Sequence, residues 1–551
     1  MSKITSAVVG TVAFVALAAC SESKLVVTDL NQPDQTRALQ SPTDVENLLT
    51  SQFRVIHNNT DGYVIGMEMQ TECMGMESAT GLGNAEGGKY CGIPRVPVDN
   101  SINNPSANEK YNQYLNLNRA ARSVSLALNQ MNQASFSFVP ADPAKTARDK
   151  AFGWFTIGVA LGDLALAYDS GAVISPSDNL SGAAPPYVAA DSLMKVALAD
   201  LDSALAYGAL SPTCCGGGWP APGSWINGWD GTQTTFSRLV HSWKARLRAG
   251  VARTPAERAA VNWTSVIADA QAGITSDFII TTTTAPPAWN YNPNQISVGT
   301  TWSQMWQWMV AMADTSAGYA LYLSSPVNNG IFLVITPDKR FPAGETRGVQ
   351  NTNSAAIPTN NGYPYVQNHV ATKDVTVAPE QTSQYNFSRF QQEIAASASN
   401  GPVPFMTLAE MNGLIAEGYF RAGNFTAVLP LVNATRVPAG LSPVTAVDNT
   451  TLLPGTNGTA GGQGCVPKVP APPSYTTPVC GTLWEALKWE KRMETAYTHW
   501  GAWWIDGRGW GDLPASTPLE YPTPYQELQT RNLTIYSQTR LSPSTKGTYG
   551  L

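Results

Sequence analysis

Apolar positions recur at three- and four-residue steps along much of the chain, the spacing that puts side chains on one face of a helix. The stretch from Pro404 to Gly440 shows it best. Met406, Ala409, Gly413, Ala416 and Phe420 share a face of a first helix, and Glu417 and Arg421 sit one turn apart, placed to pair on its outer face. Gly423-Asn424 stops that helix because either residue accepts a left-handed backbone. A second helix follows with Val428, Leu431, Val432 and Thr435 inward, ended by Pro438 to Gly440. The same period predicts helices over 44–53, 111–131, 144–168, 187–207, 236–251, 263–273 and 483–500. Ser41-Pro42 reads as a cap and first-turn proline for the first of these. A short helix is expected around Trp302 to Tyr322, and 54–108, 451–482 and the tail read as irregular.

Tyr419, Gly423 and Phe425 have the spacing of half a tetratricopeptide unit. An ordinary helical hairpin fits this stretch equally well. Either way such a pair must bury its apolar face against other helix pairs. The 236–251 helix carries Lys244, Arg246 and Arg248, with Arg253 just beyond it, read as a solvated basic flank. Residues 274–400 change character: Thr, Asn, Gly and Pro surround aromatic clusters.

Charged residues make up 13 % of the 551 residues, against about 25 % in an average soluble protein. That suits long ordered loops outside the cytosol. A net charge of −6 with no basic run argues against nucleic acid as a partner. Four histidines leave little material for a histidine-based metal site, and no metal or cofactor is expected.

At the N-terminus Lys3 precedes an apolar run from Ala7 to Ala19, too short for a stable membrane span and therefore read as a signal peptide, residues 1–19. No other apolar stretch is read as spanning a membrane. Leu17-Ala18-Ala19-Cys20 resembles a bacterial lipobox, which implies cleavage before Cys20 and its lipidation. Residues 20–30 would then be a polar tether. Six further cysteines remain, an even number. Cys73 and Cys91 flank one loop, and Cys465 and Cys480 another. Cys214 and Cys215 are adjacent, so either they form a strained ring or the pairs are shuffled.

Two Gly/Pro-rich segments carry the candidate ligand contacts. The first holds Trp225, Asn227, Trp229 and Asp230; the second holds Trp289, Asn290, Tyr291 and Trp302, with Asn292 beside them. An indole face can cover the apolar face of a sugar ring while Asn or Asp takes its hydroxyls. The competing reading is that each tryptophan packs down and anchors its loop. Tyr363 and Tyr365 are weaker candidates. Trp500, Trp503, Trp504 and Trp510 read as core or partner surface.

Nearly the whole chain resembles the SusD/RagB nutrient-binding lipoproteins of bacterial outer membranes. The marks are Leu-Ala-Ala-Cys20, Asn31-x-Pro33, the helices at 151–168 and 187–207, and Ser242 to Arg248 followed by 263–278. Further on stand Leu408-Ala-Glu410 to Gly423, Val432-Asn433-x-x-Arg436, Trp489-Glu490-Lys491-Arg492 and Pro522-x-Pro524-x-x-Glu527-Leu528. Where relatives carry Glu-Gly-x-Arg, this chain reads Tyr497-Thr498-His499-Trp500-Gly501, with Arg508-Gly509 later, so it resembles a divergent branch.

The resemblance implies a mainly α, SusD-like domain over 31–551. Its parts would be an N-terminal helical part 31–273, a loop-rich insertion 274–400 and a C-terminal helical part 401–551. Tetratricopeptide-like helix pairs would form the scaffold and long loops the binding face. It further implies a cell-surface lipoprotein without catalytic residues that captures an oligosaccharide, or a peptide, for a SusC-like TonB-dependent transporter. A surface glycan hydrolase and a helical-repeat adaptor are the readings from other classes. No G-x-S-x-G, H-E-x-x-H, Walker or EF-hand pattern supports an enzyme.

Overall fold

The computed structural model describes residue 39 and residues 41–61, 67–80, 88–177, 184–210, 218–290, 304–325, 331–354, 362–369, 382–390, 400–537 and 540–551. Residues 1–38, with Cys20, lie outside the described residues, as do Cys214, Cys215, Tyr291, Asn292 and Trp302.

Seventeen α-helices are present among the described residues, and the fourteen labelled α1 to α14 below organise the chain. Helix α1 (Pro42–Thr50) starts as its sequence dictates: the Ser41 hydroxyl accepts from the Asp44 amide, and Pro42 needs no partner for an amide it lacks. Helix α2 (Gln52–Thr60) and helix α3 (Met67–Met74) follow in a region read from sequence as loop. Every residue of α3 is buried. A helix wrapped on all sides needs no apolar stripe, so its sequence shows no helical period.

Helices α4 (Ala107–Met131), α5 (Pro143–Ala167), α6 (Ala190–Leu210) and α7 (Gln233–Gly250) form the first half of the core. Helix α5 packs on the other three. Its small residues allow this: a Cβ on Gly158 would stand 2.8 Å from Leu201 Cγ of α6, and one on Gly162 2.6 Å from Leu247 Cδ1 of α7. Contrary to the sequence reading of membrane spans, α5 is long and apolar enough to cross a membrane by length and composition. Its apolar window is 89 % buried against protein, as in a core helix.

After α8 (Pro255–Ala259) and α9 (Trp263–Gln271), strand β1 (Phe278–Thr282) pairs antiparallel with β2 (Gly401–Met406), Phe278 opposite Met406 and Thr282 opposite Gly401. Between them run short helices at Gln307–Val310, Gly318–Ser324 and Arg347–Asn353. The hairpin consists of α10 (Leu408–Arg421) and α11 (Phe425–Arg436), separated by Gly423 at φ 72°. The last helices are α12 (Leu483–Thr495), α13 (Ala502–Trp510) and α14 (Tyr525–Thr530). One apolar cluster runs from Val45 to Tyr549, and a smaller one gathers α10, α11 and the start of α12.

Charged residues depart most from the sequence reading. Met406 belongs to β2, and the buried residues of α10 are Glu410, Met411, Leu414, Ile415, Ala416, Glu417 and Gly418, of which the sequence reading placed Ala416 inward. Glu417 lies inside, not outside: its carboxylate takes Arg258 Nη2 at 2.6 Å as well as Arg421 Nη2 at 2.8 Å. Of the basic flank of α7, Lys244, Arg246 and Arg253 are likewise buried, while Arg248 stays partly exposed and pairs with Asp269 at 2.7 Å. Arg246 pairs with Glu410 at 2.6 Å, Arg253 with Glu520 at 2.7 Å, and Lys244 with Asp202 at 2.7 Å. Partners distant in sequence supply the compensation that lets these charges leave water. On α12, Glu490, Lys491 and Arg492 are all buried in such pairs: Arg340–Glu490, Lys491–Asp506 and Arg492–Asp512. The tryptophans at 500, 503, 504 and 510 are core.

Among the described residues two disulfides form, Cys73–Cys91 and Cys465–Cys480, so each pair that flanks a loop closes it.

Candidate functional site

The two candidate segments meet on one strand. Asn227 donates its side-chain amide to the Thr281 carbonyl at 2.5 Å, and its own carbonyl accepts from the Thr281 amide at 2.8 Å. Thr283 and Trp289 then exchange amide bonds at 2.9 Å in both directions. Strand β1 and its extension thus carry both segments. Gly228 makes the first junction possible: at φ 89° it passes so close that a Cβ would stand 2.4 Å from Thr281 Oγ1.

Trp225, Trp229 and Trp289 do not present open faces. Trp225 is 5 % exposed, Trp229 8 % and Trp289 2 %. Trp225 packs 4.8 Å from Phe152 and lies under the Arg148 guanidinium at 4.7 Å. Trp229 and Trp219 bracket Phe236 of α7, at 6.4 and 4.7 Å. Trp289 sits between Phe53 and His57 of α2, at 6.3 and 5.5 Å. These rings are buried with at most an edge at the surface, the arrangement of the packed-down reading that competed with ligand stacking. The reason is that burying a whole indole on neighbouring aromatics stabilises a long loop strongly. Asn227 is committed to Thr281. The Asn290 backbone is held by α2: its carbonyl takes His57 Nε2 at 2.7 Å and its amide the Asn58 side chain at 2.9 Å. Tyr365 is buried, with its hydroxyl 3.0 Å from Glu494 Oε2, and Tyr363 is half-buried beside it.

Two clefts flank the first segment. One, of about 270 Å³, has Trp229 and Asp230 on one wall, Thr235 and Arg238 of α7 on another, and Thr275, Ser276 and Asp277 opposite. Asp230 is exposed; its carboxylate accepts from Thr235 Oγ1 at 2.6 Å. Arg238 donates to Thr275 Oγ1 at 3.0 Å. Hydroxyls, a carboxylate and a guanidinium beside an indole edge suit a polyhydroxylated ligand. The other cleft, of about 360 Å³, lies on the Trp225 side and is rimmed by Glu46, Asn47, Ser51 and Arg54 of α1 and α2. Trp289 and Asn290 border neither cleft. Arg238, Ser276, Asp277 and the α1–α2 residues were not singled out in the sequence, since nothing local marks a side chain as facing a cleft built from distant elements.

Burial tunes the groups behind these clefts. It lowers His57 to about 4, with the Asn290 carbonyl opposing. It raises Asp149 to about 7 despite the adjacent Arg148 guanidinium. Among the described residues no three His, Cys, Asp or Glu side chains converge as a metal-ion site.

No family model and no curated protein matches the sequence. Solved structures do match. A SusD superfamily protein from Bacteroides vulgatus aligns with TM-score 0.53 at 13 % identity over 86 % of this chain and 89 % of its own. A SusD homolog from Parabacteroides distasonis aligns with TM-score 0.53 at 13 % identity over 89 % and 93 %. A protein from Bacteroides fragilis described as a SusD-like carbohydrate binding protein aligns with TM-score 0.50 at 13 % identity over 86 % and 87 %. With its helix pairs and its long intervening loops, the chain has the SusD-like fold.

Proposed function

We propose that this protein is a cell-surface nutrient-binding lipoprotein that captures an oligosaccharide and passes it to a TonB-dependent transporter. The observation that carries the binding step is the cleft between Trp229-Asp230 and Thr275 to Asp277, on a fold shared with a carbohydrate binding protein. Asp230, Arg238 and the Thr275 and Ser276 hydroxyls take sugar hydroxyls, and the Trp229 edge covers part of a ring face. The cleft beside Trp225 extends the surface available to further sugar units. Trp289 and Asn290 hold the second segment against α2, with Tyr291 and Trp302 beyond it as further contacts. The domain over 31–551 acts as one unit, tethered through Cys20 to the outer membrane and bound to the transporter.

The test is isothermal titration of the purified protein against a panel of neutral oligosaccharides and peptides, with Asp230→Ala, Trp229→Ala and Trp289→Ala variants. Sugar binding that weakens about tenfold in Asp230→Ala and survives in a folded Trp289→Ala supports this site. Peptide binding at the same residues changes the ligand class. Binding indifferent to Asp230 and Trp229 moves the site elsewhere, and conversion of the glycan would make the protein a hydrolase.

A further inference from the structure

The C-terminal tail leaves a cavity of about 600 Å³ between the start of α8, the end of α13 and Tyr475. That lies within the range of about 300–1,000 Å³ usual for small-ligand pockets. None of the residues bordering either tryptophan cleft lines it.

Its walls are charged in one sense. Arg253, Arg508 and Lys546 line the cavity, and no carboxylate does. Arg253 is answered from behind by Glu520. Arg508 is not: its Nη1 and Nη2 donate at 2.8 Å to the carbonyls of Leu519 and Gly250, and its Nε has no partner. Among the described residues no carboxylate lies within ion-pair distance of this guanidinium, which is 1 % exposed. The Trp504 ring, 4.4 Å away, is its only aromatic relief among the described residues. Burial, then Arg253 and Arg540, weigh against its charge and outweigh the more distant carboxylates of Glu520 and Glu257. A buried cation with no carboxylate in contact is costly, and an anion in the adjoining cavity lowers that cost.

The rest of the wall is apolar. Leu513, Leu519 and Leu541 line it with Trp510, whose Nε1 is also buried without a partner. At the mouth, half-buried Tyr475 lies with the exposed Lys546 ammonium 5.7 Å from its ring centroid.

We propose that this cavity is a second binding site, for an organic carboxylate carried on a ring with an apolar face. The carboxylate lies in the field of Arg508 and Lys546, and the ring lies among the leucines, Trp510 and Tyr475. A sugar acid and an aromatic acid both offer this chemistry. The site is independent of the glycan cleft.

The test titrates the full protein at constant ionic strength with glucuronate and with benzoate, each beside its neutral counterpart, glucose and benzyl alcohol, and with inorganic sulfate. The expected result is that one acid binds at least about tenfold tighter than its neutral counterpart and than sulfate, and which acid does so identifies the source. Lys546→Glu weakens that acid at least about tenfold and Tyr475→Ala about fivefold, while Asp230→Ala leaves it unchanged. Both substituted side chains stand at the mouth, so the variants fold. The proposal is overturned if neither acid is preferred over its neutral counterpart, if sulfate binds as well, or if Lys546→Glu leaves the affinity within about twofold. Loss in Asp230→Ala alone would also overturn it, by assigning the acid to the glycan cleft.

Discussion

Arg258 Nη2 lies 2.6 Å from Glu417 Oε2, and both side chains are fully buried. Their elements are 159 residues apart in sequence, so this pair joins α8 to the helical hairpin. Arg258 also reaches Asp506 at 3.1 Å, tying in α13. Removing one partner leaves an unpaired charge inside. Arg258→Ala is expected to cost about 3–5 kcal/mol in chemical denaturation. A loss below about 1 kcal/mol would mean that water replaces the guanidinium.

The same pair sets acid sensitivity. Burial opposes the Glu417 charge, but Arg258 and then Arg421 overcome it and hold the carboxyl at about 2, against an ordinary 4.5. A depressed carboxyl stabilises the fold above pH 4.5, and that contribution is lost as pH falls towards 2. Glu417→Gln should flatten the melting temperature over that window while lowering it at neutral pH. An unchanged acid limb would assign the acid sensitivity to other groups.

Glu77 works in the opposite direction. Its carboxyl accepts from the Tyr497 amide at 2.6 Å and is fully buried. Burial raises it to about 8, the Tyr497 and Trp503 amides opposing. Asp61 is raised by burial to about 6, and Glu68 and Glu72 go upward for the same reason, reinforced by neighbouring carboxylates. The folded state holds these protons more tightly, so their stabilisation is complete below pH 4.5 and is lost as pH rises towards 8. Thermal melts from pH 5 to 9 should show this decline, and Glu77→Gln should reduce its slope. A slope identical in the variant would refute the assignment.

Gly158 touches backbone as well as side chain. Its Cβ would stand 3.0 Å from the Ala197 carbonyl oxygen and 2.8 Å from Leu201 Cγ. The carbonyl cannot rotate away without bending α6. Gly158→Ala should therefore destabilise by about 1–3 kcal/mol, despite the better helix propensity of alanine. Stabilisation instead would show that α5 and α6 separate freely.

The Cys465–Cys480 bridge closes a loop of sequence separation 15. Replacing both with serine should cost about 3 kcal/mol in unfolding experiments. For the proposed anchor, Cys20→Ser should move the protein from the outer-membrane fraction to the soluble one; persistence in the membrane fraction would remove the lipoprotein reading.

Where the helices lie was largely legible in the sequence. Helices α4, α6 and α9 to α11 bury mainly one stripe, and a stripe leaves a period in the residues; α5 and α12 are buried almost all round, yet their apolar positions still recur at helical steps. Helix α3 buries every side, and no period marks it. The end of α12 also moved, because the chain breaks at Ala496 and restarts as α13 after Gly501 in the left-handed conformation. The candidate site was legible only as segments. Residues 218–231 do border two clefts, yet Asn227 is spent on Thr281 and the indoles are turned inward.

The sequence by itself determined the mainly helical character, the hairpin at 404–440 and the pairs of cysteines that flank loops, since these depend on local spacing. Only the tertiary structure decided the surroundings of the charged and aromatic residues. Glu417, Arg246 and Arg253 read as surface groups because the partners that meet them inside, Arg258, Glu410 and Glu520, lie far along the chain. For Trp225 and Trp289 the choice between ligand contact and a packed-down anchor stayed open in the sequence, because the rings that cover them, Phe152, Phe53 and His57, belong to other helices. Burial is a property of what folds against a residue, and local sequence does not carry it.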